Sequence, residues 1–326
     1  MKQFWREVGL AVVLGMLMPG LILNIVTYSA HRHVSGTDLP VNTDPVSEGV
    51  RISVITGSGI MKEMELESYL IGVVLAEMPA SFENEALKAQ AVVARTYALR
   101  ADGKRSKHAD AAVCTDSGCC QAYISPDDYR YGGGDDKSIG KVRRAVEATS
   151  GQVLTFEGEL IEATYFSCSG GQTEDAIAVW GTDIPYLRSV PSPGEEAAAH
   201  YTDSFTFSNA QVRELLNLPK EDKELRIENV IHTAGGGVAE LTICGITFQG
   251  TEIRKILGLC STAFSITADN DEVTFHTRGF GHRVGMSQYG AEAMALNGSN
   301  YRDILTYYYP GTILENRSID KPASVG

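Results

Sequence analysis

Glu77 is the residue whose position in this sequence points most directly to chemistry. The residues three, four, seven and eleven places before it are Val74, Val73, Leu70 and Leu66, so on a helix its carboxylate shares the apolar stripe. Burial favours the neutral form of a carboxyl group. A glutamic acid still protonated near neutral pH can give a proton and take it back, which is general acid–base catalysis. The same spacing has a simpler reading: a last-turn residue, ahead of the helix-ending Pro79, that swings into water.

A second group gathers metal donors. His108, Cys114, Cys119 and Cys120 fall within the thirteen residues HADAAVCTDSGCC, and sulfur and nitrogen donors suit a tetrahedral zinc ion. The spacing matches no common zinc finger. A disulfide through Cys114 and a set of free thiols are the other readings. Lys88 and Arg95 lie seven apart on the next helix and share a face about 10 Å long, where cations are usually just solvated.

Cys168 in YFSCSGGQ and His282 in GFGHRVGMSQYG would suit a thiol nucleophile and its base, but no acidic or amide orienter accompanies them. Cys168 therefore reads as packing. Gly279, Gly281, Gly285 and Gly290 lack the lysine of a phosphate loop, and read as a loop permitting close backbone approach. That leaves His282, Ser287 and Gln288 as hydrogen bonders for a polar ligand or for Glu77. Tyr307, Tyr308 and Tyr309 read as core. Whether Cys244 and Cys260 pair is open.

The elements that must position these groups follow from periodicity. Val50–Thr56 alternates as a half-buried strand, and 65–78 has helical spacing ended by Pro79. A second helix spans about 83–101, with Ser81 or Asn84 as cap. Helices are expected over 140–149, 211–216 and 252–257, and strands over 152–156, 162–166, 225–232 and 237–247. This irregular order predicts an α+β fold rather than a doubly wound sheet.

Composition bounds the function. The chain has 326 residues, 43% hydrophobic and 21% charged, which is ordinary globular usage. Its net charge of −13 argues against nonspecific nucleic-acid binding, and six cysteines are too few for a disulfide scaffold. Residues 8–26 form an uncharged apolar run of nineteen, preceded by Lys2 and Arg6. The expectation is a single-pass anchor, with the N-terminus in the cytoplasm and everything after Thr27 outside. No A-x-A site near Tyr28–Ala30 supports the rival reading, a cleaved signal peptide. The predicted organisation is an N-terminal transmembrane anchor at 1–27, a polar linker at 28–50, one large mixed α+β catalytic domain at 51–316 and a tail at 317–326.

Three blocks then carry a resemblance. Residues 66–99 (LESYLIGVVLAEMPASFENEALKAQAVVARTYAL), 164–190 (TYFSCSGGQTEDAIAVWGTDIPYLRSV) and 279–312 (GFGHRVGMSQYGAEAMALNGSNYRDILTYYYPGT) resemble, in family order, the stage II sporulation protein D family. The resemblance implies a lytic transglycosylase acting on peptidoglycan glycan strands stripped of their stem peptides, with Glu77 as the essential glutamate. It places Lys88 and Arg95 at basic positions of the cleft, offsetting the lactyl carboxylates of the strand. Some members of that family hold a structural zinc with two His and two Cys, and here Cys119 stands where a His would, so a closed His108–Cys114–Cys119–Cys120 site is expected. The resemblance also implies location in the septal membrane with the catalytic domain outside. Its implied partners are stage II sporulation protein P, the amidase that makes the substrate, and protein M, which organises both. The same blocks occur in non-catalytic amidase-enhancer proteins, which are the alternative.

Overall fold

The computed structural model describes residues 49–219, 225–269 and 271–317. The expected anchor (1–27), nearly all of the linker and nearly all of the tail lie outside these residues. Among the described residues, no helix is long and apolar enough to cross a membrane.

Strands β1 (Arg51–Ile55) and β2 (Met61–Glu65) form an antiparallel hairpin that runs directly into helix α1 (Leu66–Glu77). The Glu65 carboxylate caps α1, accepting the amides of Glu67 at 3.1 Å and Ser68 at 2.6 Å. Pro79 forces Met78 out of the helical region (φ −128°, ψ 142°), so α1 stops with Glu77 as its last residue. Helix α2 (Asn84–Arg100) is the centre of the larger core and ends in a π-helical turn at Ala101–Arg105. Strand β3 (Val113–Cys114) then adds to β1 in parallel.

Helices α3 (Pro126–Tyr131) and α4 (Asp136–Glu147) follow, then the hairpin β4 (Gln152–Phe156) and β5 (Glu159–Leu160). Short elements come next: β6 (Tyr165–Phe166), β7 (Gly171–Gln172), α5 (Ala176–Trp180) and β8 (Pro191–Ser192). A smaller unit with its own core comprises β9 (Thr202–Ser208), α6 (Asn209–Leu215), β10 (Ile227–His232), β11 (Val238–Ile243), β12 (Ile246–Gln249), α7 (Gly250–Leu257), β13 (Phe264–Ala268) and β14 (Glu272–Arg278). The chain then returns to the larger core. Strand β15 (Met286–Ser287) pairs in parallel with β6, helices α8 (Gln288–Leu296) and α9 (Tyr301–Tyr308) pack on it, and β16 (Ile313–Asn316) closes against β4.

The architecture is mixed α+β. No sheet among the described residues exceeds three strands, and local caps, turns and helix packing hold the larger core. The two cores are joined through the loop after β14. There Arg283 (φ 64°) is buried, bonding Glu174 at 3.2 Å and the carbonyls of Ser169, Gln172 and Gly235 at 2.7–2.8 Å.

Candidate active site

Glu77 lies in a cleft of about 740 Å³ whose lining includes Tyr165, Trp180, Arg254, Phe280, His282 and Gln288. The carboxylate does not swing into bulk water. Its Oε1 accepts the Ala122 amide at 2.6 Å, with the side chains of Tyr165 and Gln288 beside it. Burial pushes the Glu77 pKa above the ordinary carboxylate range, and the Ala122 amide, with the polar side chains beside it, partly offsets that by stabilising the charged form. An acid so placed stays protonated at higher pH than usual, yet has bonds waiting for its carboxylate form.

The surroundings are ordered behind it. Tyr165 Oη accepts Gln121 Nε2 at 3.3 Å, and Gln121 Oε1 accepts the Tyr69 hydroxyl at 3.4 Å. The Tyr165 proton is thus free to point at Glu77, and burial holds that phenol protonated. Gln288, first residue of α8, brings a carboxamide whose Nε2 is buried without a partner at hydrogen-bond distance. His282 also lines the cleft, its ring 5.6 Å from Phe166 and 5.3 Å from Trp180. Burial and the nearby Arg254 cation lower its pKa to about 4, so the ring is neutral at physiological pH. Its Nδ1 accepts the Val284 amide at 3.1 Å, which leaves the proton on Nε2. His282 therefore holds the loop in place and is no base.

The cysteine–histidine cluster adjoins the cleft. His108 Nε2 lies 3.6 Å from Cys119 Sγ and 3.4 Å from Cys120 Sγ, and the two sulfurs are 3.9 Å apart. With Cys114 included, all four donor atoms lie within 4.8 Å of one another. A tetrahedral zinc with Zn–S of about 2.3 Å and Zn–N of about 2.0 Å needs edges of about 3.8 Å between sulfurs and about 3.5 Å between sulfur and nitrogen. The residues present fit that ion, with all four protein positions filled.

Other expected site residues lie elsewhere. Arg95 is fully buried on α2 and bonds Glu67 bidentately at 2.7 and 2.8 Å, with the Gln152 carbonyl at 3.2 Å. Lys88 pairs with Glu85 at 2.6 Å and sits over the Tyr301 ring. Neither reaches the lining of the cleft, because α2 is packed on several sides and the face bearing these cations meets α1, α4 and α9. Ser287 is buried as the N-cap of α8, accepting the Gly290 amide at 3.2 Å. Cys168 is buried, bonds the His200 carbonyl at 3.6 Å and has its thiol pKa pushed up to about 12, which suits packing and not attack. Tyr308 and Tyr309 are buried as expected, whereas Tyr307 is partly exposed.

Among the described residues, the cations lining the cleft are Lys107 and Arg254. Lys107 donates to the Cys119 carbonyl. Arg254, on α7 of the smaller unit, has a buried Nε without a partner among the described residues. Trp180 and Phe280 add half-exposed aromatic faces. Sequence reasoning missed Arg254, Trp180 and Tyr165; of these only Trp180, next to the helix-ending Gly181, carried a local signal.

Comparison with known proteins decides the family. A family model for stage II sporulation proteins matches residues 55–156. Stage II sporulation protein D of Bacillus subtilis is 37% identical over 96% of this chain and 95% of its own length. The chain belongs to the stage II sporulation protein D family. The Bacillus amyloliquefaciens member of the stage II sporulation protein D family is also 37% identical, over 86% of this chain. A Bacillus subtilis protein named amidase enhancer is 29% identical over 75% of the chain, which spans 40% of that protein. As a member of the stage II sporulation protein D family, the protein is associated with sporulation.

Proposed function

We propose that the protein is a lytic transglycosylase that cleaves the bond between muramic acid and glucosamine in denuded peptidoglycan strands. The observation that carries the reading is Glu77 itself, an acid with a raised pKa in a cleft, bonded by Ala122 and faced by Tyr165 and Gln288. Protonated Glu77 gives its proton to the bridging oxygen as the bond from that oxygen to the muramyl anomeric carbon breaks. The resulting carboxylate takes the proton of the muramyl hydroxymethyl group, whose oxygen closes onto the same carbon. The products are an anhydro-muramyl end and a free glucosamine hydroxyl, and Glu77 ends protonated again. No water is activated, so no second carboxylate is required, unlike the paired acids of most glycoside hydrolases.

The rest of the cleft supports this use. Trp180 and Phe280 present faces for sugar rings, and Gln288 lines the same cleft. Arg254 and Lys107, in place of Lys88 and Arg95, face the lactyl carboxylates that a denuded strand carries.

Zinc held by His108, Cys114, Cys119 and Cys120 would act structurally, with no open position for substrate. Those ligands brace the segment running to Ala122, the residue whose amide fixes Glu77. An N-terminal anchor would hold the domain at the septal membrane, beside the peptide-stripping stage II sporulation protein P and protein M. The test is digestion of denuded strands with mass spectrometry of the ends. Glu77→Gln should abolish anhydro-muramyl products while leaving circular dichroism unchanged; full activity of the variant removes the proposed role. The amidase-enhancer relative supports a second reading, in which the native protein stimulates an amidase and cuts nothing itself.

A further inference from the structure

We propose that His200, Asp203 and Cys260 form a second metal site, for zinc or a similar borderline ion, at the junction of the two cores. The three come from separate places: the turn before β9, the second residue of β9, and the segment after α7. Their donor atoms lie within 4.8 Å of one another. Asp203 Oδ2 meets His200 Nδ1 at 2.8 Å and Cys260 Sγ at 3.3 Å. One imidazole nitrogen, one carboxylate oxygen and one sulfur form a donor set suited to zinc, with a fourth position left for water.

The backbone behind each donor is already tied down. Asp203 stands opposite Thr277 in the β9–β14 ladder. The Cys260 carbonyl accepts the Gly281 amide at 3.0 Å, and the Tyr201 carbonyl accepts that of Gly279 at 2.9 Å. The His200 ring stacks on Phe280, centroids 4.9 Å apart. A tetrahedral ion needs about 3.3 Å between the nitrogen and oxygen and about 3.5 Å between the oxygen and sulfur. The carboxylate–thiol separation is close to that already. The imidazole must open by about 0.5 Å, and it is half-exposed and able to swing. On binding, the Cys260 thiol releases its proton to solvent and the thiolate becomes the ligand. An ion here would clamp both flanks of the loop that carries Phe280 and His282 into the cleft.

The site is distinct from the His108 cluster, which shares no residue with it. The experiment is metal analysis of the full chain after equilibrium dialysis against buffered zinc. Two ions per chain are expected, falling by one in His200→Ala and in Cys260→Ser, and by the other one in a Cys119→Ser/Cys120→Ser variant. His200 is a half-exposed side chain, so its variant remains informative if Cys260→Ser fails to fold. If the His108 cluster takes no zinc, the intact chain should bind one ion and His200→Ala none. Unchanged stoichiometry in His200→Ala overturns the proposal. Cobalt gives a second readout: thiolate-to-cobalt absorption in the Cys119→Ser/Cys120→Ser variant should disappear on adding His200→Ala, and its persistence counts against the site.

Discussion

Replacing Arg254 with glutamine tests how an acidic protein holds an anionic strand. The net charge of −13 repels such a ligand, so local cations must compensate. Arg254 is half-buried in the cleft wall, which sets its charge beside the place where a strand would lie. A hydrogen bond to a charged group contributes about 1.5–3 kcal/mol, equivalent to about 12- to 150-fold in affinity. Partial exposure and a Debye length of about 8 Å in physiological salt place Arg254 at the lower end, about tenfold. Calorimetry in a Glu77→Gln background, which leaves the strand uncut, separates binding from turnover. Denuded strands should bind about tenfold more weakly to Arg254→Gln, with a reduced salt dependence. Strands whose lactyl carboxylates have been amidated should bind both proteins alike. Equal losses on both strands would assign Arg254 to packing and refute the reasoning.

Further outcomes follow from the buried charges. Tyr165→Phe removes a bond that holds the Glu77 pKa down. Activity as an acid is lost as pH rises through that pKa, so the basic limb of the kcat/KM profile should move to higher pH. Glu77→Gln should raise the Tm at pH 7–8: a folded-state pKa above the unfolded one contributes stability that is full below the unfolded value and lost as pH rises through the folded one. The gain should vanish at a pH below the ordinary carboxylate range. Glu174→Ala leaves Arg283 buried without its carboxylate and should cost about 3–5 kcal/mol, read as a lower urea midpoint. A midpoint within error of the parent would mean that the carbonyls around Arg283 suffice.

Local signals in the sequence were the most faithful. Pro79 ends α1 where expected and β4 matches its predicted span, since a proline and an alternating run act through their immediate neighbours. The strand expected over 237–247 is instead the hairpin of β11 and β12. Cys244 and Gly245 take positive φ (50° and 78°) at the turn, and a non-glycine first residue hid it. The apolar stripe on α1 was read too narrowly, because Ile71 and Leu75 are buried too and the helix is enclosed on most sides. Packing on several sides of α2 likewise misplaced the cations. Helical spacing placed Lys88 and Arg95 on one face, but which neighbour that face meets is set by chain segments far away, such as Glu67 and Tyr301. The donors around Glu77 come from residues 45, 88 and 211 places downstream, a convergence no local pattern contains.

The most direct test of the single-glutamate account is digestion of denuded strands in water enriched in oxygen-18, with mass spectrometry of the new ends. Ring closure by the muramyl hydroxymethyl group predicts anhydro ends carrying no label. New reducing ends carrying one oxygen-18 would mean that water attacks, and would contradict the account.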